Sequence, residues 1–227
     1  MKKLADDLYL LRGFPPHAIN VFLMGDVVVD SGTRHAAGRI LRQLKGRPVT
    51  AHAITHAHAD HQGSSHVICE ELGLPLLCGA GDADAMEEGS IADLAPVNVV
   101  TRWQTRHWAG PAHLVTTRLR EGDMVGGFTV LETPGHTPGH VVFWREADRV
   151  ALVGDVLNRR PSLAGSGLQE PPAGFTIDRA RNREAIRRLA DLSPSLLCFA
   201  HGKPLRNTYQ LDTLVKRLDR KAAGKIR

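Results

Sequence analysis

Cysteine is scarce in this chain. The 227 residues include three, Cys69, Cys78 and Cys198. They are odd in number, widely spaced and never in a CxxC pair, which argues against a disulfide framework and fits free thiols in a reducing cytoplasm. Each is read as a buried small residue. Long apolar runs are missing as well, and none approaches the roughly 20 residues needed to span a membrane. The N-terminal stretch MKKLADDLYLLRG carries two lysines, but Asp6 and Asp7 interrupt it, so it lacks the apolar core of a signal peptide. A cytoplasmic protein without a membrane partner is expected. Aromatic residues make up 5% of the chain, and none interleaves with basic residues in a stripe. The net charge of +5 is spread out. It is densest at Arg179, Arg181, Arg183, Arg187 and Arg188 and in the tail KRLDRKAAGKIR, both read as solvated helix faces, so no nucleic-acid partner is expected. There is no GxSxG elbow and hence no serine nucleophile of that kind.

What is present is ordinary globular composition, 42% hydrophobic and 23% charged, in a chain long enough to bury a sizeable core. One domain over residues 1–227 is expected. AINVFLM (18–24) and VVVD (27–30) flank Gly25-Asp26 and read as a hairpin. A helix is expected over 34–44, a strand over 49–55, a helix over 64–72 stopped by Gly73, and a strand over 75–79. In the second half, strands are expected over 113–119, 128–133, 140–145 and 149–155, a helix over 179–190, a strand over 195–200 and a helix over 207–221. This order points to a layered α/β architecture. Two stretches break the rhythm and read as long loops: 86–112, with Trp103 and Trp108, and the Gly- and Pro-rich 158–177.

The chemistry concentrates in THAHADHQG (55–63), where His56, His58, Asp60 and His61 lie within six positions. Imidazole and carboxylate together suit divalent metals of intermediate softness. His56 and His58 share one face of an extended segment, and Asp60 and His61 are placed to turn toward a second point. Three more ligand types follow predicted strands: His136 in TPGHTPGH, Asp155 at the end of ALVGD, and His201 after LLCFA. Strand C-termini are where open α/β sheets gather their sites.

HAHADH, then GHTPGH, then a strand-ending GD, then a strand-ending His resembles the metallo-β-lactamase superfamily over roughly residues 8 to 205. The resemblance implies a four-layer αββα sandwich, with two mixed β-sheets flanked by helices and the metals along one sheet edge. It gives His56, His58 and His136 to one metal and Asp60, His61 and His201 to a second, with Asp155 bridging. Two divalent ions are implied, zinc by default, with iron or manganese open. Asp30, in VVVDSG, matches a family aspartate beneath the site and is expected to accept from a ligand histidine. His140 is expected to pack or hydrogen-bond. The remaining histidines, His66 and His113 among them, carry no assignment.

Two ions about 3.5–4 Å apart can share a water whose pKa falls toward neutrality, and the resulting hydroxide attacks a carbonyl. By the resemblance, Asp155 would bridge the pair and Asp60 would orient the nucleophile or pass a proton. The motif pattern is most similar to glyoxalase II-like thioester hydrolases and to lactonases. Past His201 the chain has room for one helix, which departs from glyoxalase II proper. Phe175 stands in the segment where lactonase relatives place a tyrosine. Alternatives of the same fold are a mononuclear-iron persulfide dioxygenase and a phosphodiesterase or nuclease. The expectation is a hydrolase of a small ester, thioester or lactone, with the 86–112 and 158–177 stretches as candidate walls for a small-molecule substrate.

Overall fold

The computed structural model describes residues 1–159, 167–206 and 208–223. Short, mostly apolar runs form a seven-stranded sheet in chain order: β1 (Lys2–Ala5), β2 (Leu8–Leu10), β3 (Phe22–Met24), β4 (Val27–Val29), β5 (Ala51–Ile54), β6 (Leu76–Gly79) and β7 (Thr117–Leu119). Pairing is antiparallel from β1 to β4 and parallel from β4 to β7. A second sheet takes β8 (Met124–Val125), β9 (Phe128–Glu132), β10 (Val141–Arg145) and β11 (Val150–Gly154). A two-stranded ribbon of β12 (Asn158–Arg159) and β13 (Leu168–Gln169) intervenes before β14 (Leu196–Phe199), which completes it. The order is β14-β11-β10-β9-β8, antiparallel except for β11 with β14.

Parallel neighbours need a crossover, and helices supply it. α1 (Ala37–Leu44) joins β4 to β5, and α2 (Ser65–Leu72) joins β5 to β6. α3 (Ala83–Glu88) and α4 (Val99–Trp108) lie between β6 and β7, α5 (Arg179–Asp191) precedes β14, and α6 (Tyr209–Ala223) follows it.

Side-chain alternation sorts the core into layers. Val27 and Val29 of β4 point between the sheets, where they meet Phe128, Val130, Phe143 and Leu152. Val28 points the other way, against Ile40 of α1 and Ile68 of α2. On the second sheet Val141 and Phe143 face inward, while Val142 and Trp144 face Ile186 and Leu189 of α5 and Leu214 of α6. The expected αββα sandwich of two mixed sheets is the observed fold. Burying each such side chain contributes about 1.5–3 kcal/mol, so the inner layer is the main source of cohesion between the sheets.

Several local expectations change. The N-terminal segment forms the antiparallel β1–β2 pair, which carries no strand assignment in the sequence. The strand expected over 113–119 shrinks to Thr117–Leu119. The stretch 86–112 is no loop: it holds a 3-10 turn at Ile91–Leu94 and the helix α4, whose N-terminus is closed by a reciprocal Asn98–Thr101 capping box. Of 158–177, residues 160–166 lie outside the described residues; the rest holds β12, β13 and a 3-10 turn at Ala173–Phe175. Asn207, the expected start of the last helix, also lies outside them, as do the last four residues of the tail. Three arginines of α5 are engaged rather than merely solvated: Arg183 pairs with Glu170 at 2.7 Å, Arg187 with Asp219 at 2.7 Å and Arg188 with Glu121 at 2.6 Å.

Candidate metal centre

Strand ends deliver the polar residues to one edge of the sandwich. His56 follows β5, His136 lies in the turn between β9 and β10, Asp155 follows β11, and His201 lies beyond β14. Gly154, at φ +49, makes the turn that presents Asp155, and a Cβ there would stand 2.9 Å from Thr55 Cβ and 2.6 Å from His140 Nε2. The 56–61 loop is tightly wound, since both His61 N–H and Gln62 N–H donate to the His58 carbonyl, at 2.9 and 3.0 Å. Ser31 clamps it from below: its backbone N–H and hydroxyl both donate to the His61 carbonyl, at 2.8 and 2.7 Å.

All seven sequence-predicted residues converge. His56, His58 and His136 offer ligand atoms within 4.8 Å of one another, as do Asp60, His61 and His201. Asp155 Oδ2 stands between the sets, 3.6 Å from His136 Nε2, 3.4 Å from His201 Nε2 and 4.0 Å from His61 Nε2. The division is less clean than the sequence suggests, because His56 also groups with His61 and Asp155, and its ring lies 3.9 Å from that of His61.

Each of the five histidines turns one ring nitrogen into the site and anchors the other. His56 Nδ1 meets the Thr55 hydroxyl at 3.1 Å, and His58 Nε2 meets the Leu94 carbonyl at 3.0 Å. His61 Nδ1 meets Asp30 Oδ2 at 3.1 Å, His136 Nδ1 the Thr176 hydroxyl at 3.3 Å, and His201 Nδ1 the Ala18 carbonyl at 2.5 Å. Anchored this way, each imidazole points its other nitrogen inward, where its lone pair serves a cation once any proton there is displaced. Among the described residues, the buried Nε2 atoms of His61 and His136 have no hydrogen-bond partner. An orphaned buried nitrogen is costly unless something binds it, and a cation does. The donor set is therefore a fit for metal.

The electrostatics divide the site. Burial, then the neighbouring imidazoles, hold His56 and His136 well below the usual histidine range. His61 behaves oppositely: burial would lower it, but Asp30, Asp60 and Asp155 raise it to about 9. His201 is also raised, by Asp155 and Asp60 against burial. Those imidazoles in turn hold both carboxylates below their ordinary range in spite of burial.

Four supporting residues carry less signal or none in the sequence. Asp30 accepts from His61 as expected, and also takes the Thr55 N–H at 2.8 Å. His140 accepts the Asp155 N–H on Nε2 at 3.0 Å, with Nδ1 against the Thr133 hydroxyl at 2.9 Å. Asp82, fully buried ahead of α3, bonds to both metal loops; its sequence context, GAGDAD, reads as a plain turn. Asn158, with its amide nitrogen turned to Asp155, donates to Oδ1 at 3.0 Å.

A cleft of ≈ 430 Å³ opens on Asp60, Asp155 and His201, walled by Phe14, Ile19, Ile91, Trp108 and Phe175. Gln104 and Thr105 of α4 add polar groups, and among the described residues no Lys or Arg lines it. Nor, among the described residues, does its lining hold a serine or cysteine. The site offers lone pairs for cations instead, and the class so defined is the metal-dependent hydrolase. A family model described as the metallo-beta-lactamase superfamily matches residues 15–201, and the chain belongs to that superfamily.

Among curated relatives, the chain is 28% identical over 206 residues to a probable metallo-hydrolase, YflN, of Bacillus subtilis, covering 79% of this chain and 76% of that one. A hydroxyacylglutathione hydrolase of Methylobacterium nodulans is 32% identical over 127 residues, 53% of this chain and 40% of that one. Among solved structures, a metallo-beta-lactamase family protein from Thermus thermophilus superposes with a TM-score of 0.68 at 26% identity, covering 98% of this chain and 81% of the other. The protein TTHA1623, solved in a di-iron-bound form, gives 0.60 at 28% identity over 88% of each chain.

Proposed function

We propose that the chain is a binuclear metal-dependent hydrolase of a small uncharged ester, thioester or lactone, acting in the cytoplasm. The observation that carries the binuclear reading is Asp155 Oδ2, which faces histidines of both ligand sets at 3.4–4.0 Å. His56, His58 and His136 would hold one ion, Asp60, His61 and His201 the other, and Asp155 both. Zinc is the default for this donor set, with iron or manganese as alternatives.

Bound there, divalent ions supply a nucleophile at neutral pH and polarise a carbonyl oxygen. The chain's own residues do the rest. The Asp155 backbone N–H on His140 and the Asn158 amide on Oδ1 fix the carboxylate in one orientation. Asp60 lines the cleft and is held ionised beside His201, 3.2 Å from its Nε2, so its free lone pairs orient a proton donor. Trp108, Ile91 and Phe175 exclude water from an acyl group, while Gln104 offers its amide to a polar substituent. The lack of Lys or Arg in the described lining favours a neutral substrate over a phosphodiester, whose charge calls for cationic side chains.

The test pairs metal analysis of the purified protein with a panel of thioesters, esters, lactones and phosphodiesters. Two ions per chain and turnover of an uncharged carbonyl substrate are the expected result. A single iron with oxygen consumed in the presence of glutathione persulfide would overturn the reading.

A further inference from the structure

A second cluster of ligand atoms lies on α2, the helix that follows the HAHADH loop. His66 and Glu70, one helical turn apart, share a face of α2 and meet His113, which lies on the segment leading into β7. His66 Nδ1 stands 3.1 Å from His113 Nδ1, and Glu70 Oε1 stands 3.9 Å from the same atom. All three ligand atoms fall within 4.8 Å of one another. We propose that His66, His113 and Glu70 form a third metal site, outside the catalytic cleft, for a borderline transition cation such as Zn²⁺, Co²⁺, Ni²⁺ or Cu²⁺.

The nitrogen separation carries the argument. Two imidazole nitrogens bound at about 2.0–2.1 Å to one ion, at angles between square and tetrahedral, lie about 2.9–3.4 Å apart. The observed spacing falls inside that window without rearrangement. The rings stand at 77° to each other, so the two lone pairs can converge on one point. A direct hydrogen bond would use the same two atoms, but it leaves the nearby carboxylate unused. His113 is half-buried, and burial followed by the neighbouring His66 lowers its proton affinity, which favours the neutral ligand form. Glu70 is exposed and can rotate toward the pair, leaving the other positions of the ion to water. Two nitrogens and one carboxylate select borderline metals over Mg²⁺ or Ca²⁺.

The position gives the site a consequence. His113 is fastened through its backbone N–H to the Met86 carbonyl at 3.2 Å. It lies just beyond α4, which supplies Gln104, Thr105 and Trp108 to the cleft wall. An ion here ties that connection to α2 and restrains the wall. The proposal stands apart from the catalytic reading, since no residue is shared.

Equilibrium dialysis against buffered zinc, comparing the full wild-type chain with the His66→Gln/His113→Gln double variant, tests it. The variant is expected to bind one ion fewer, whatever the wild-type total. Titration with Cu²⁺ should give a paramagnetic spectrum with coupling to two imidazole nitrogens that the variant lacks, and Glu70→Gln should weaken that species without abolishing it. Equal zinc content in wild type and variant at every buffered concentration would overturn the proposal and leave the pair as a hydrogen bond. A low wild-type total with the one-ion difference intact would fault the binuclear catalytic reading and sustain this one.

Discussion

The Asp82 carboxylate accepts the Gly139 N–H at 2.6 Å. The same side chain takes the Thr137 hydroxyl at 2.7 Å and the Ala57 N–H at 3.0 Å. Ala57 sits between His56 and His58, and Thr137 follows His136, so one buried carboxylate sets the spacing of loops that come from different sheets.

Replacing Asp82 by alanine leaves three donors without that acceptor, each at about 1–3 kcal/mol. A loss of roughly 3–5 kcal/mol is expected, read by calorimetry as a fall in Tm on the order of 10 °C. Metal content should fall with it. An unchanged melting temperature would remove Asp82 from its role as a clamp.

Thr176→Val takes away the acceptor for His136 Nδ1 with little change of shape. Loss of such an outer partner typically costs about 10–100-fold in metal affinity. Competition with a chromophoric chelator should show that weakening while the fold, followed by circular dichroism, is retained.

Asp155→Asn keeps the volume but halves the oxygen donors and removes the charge that His136, His201 and His61 face. Metal and turnover should disappear together. Full activity with both ions retained would exclude Asp155 as the bridge.

In the metal-free protein His61 is raised from 6.5 to about 9 by Asp30, Asp60 and Asp155, against the opposing effect of burial. A raised folded-state value means the stability it confers is complete below pH 6.5 and is lost as pH climbs through 9. Melting of the metal-free protein should therefore weaken over that window. A cation bound by His61 and His201, both raised, must displace a proton from each, so affinity should rise about a hundredfold per pH unit around neutral pH. Proton release on metal addition at neutral pH, measured by calorimetry in buffers of different ionisation enthalpy, checks the sign.

The ligand set is legible in the sequence because its chemistry is local: HAHADH packs four donors into six positions, and the distant ones end apolar strands. The sandwich follows from the same strand ends and the family resemblance. Asp82 and Thr176 are invisible for the opposite reason, since an aspartate or threonine in a turn looks the same whether it holds a loop or faces water. Helix α4 escapes the periodicity argument because it exposes its apolar residues, with Val99 at 85% and Trp103 at 51% of full exposure. Its Asn98–Thr101 box is the readable cue. The β1–β2 pair is short and partly exposed, so alternation has little length over which to declare itself.

His56 comes from the first sheet, while His136, Asp155 and His201 come from the second, and the layer that joins the sheets is apolar and without covalent ties. Ions held at that edge would fasten residue 56 to residue 201 across the seam, and because they bind the folded chain and not the unfolded one, they would stabilise the sandwich as much as they serve catalysis. Removing them should loosen the sandwich first along this open edge, with amide exchange quickening in β5 and β11 ahead of the outer helices.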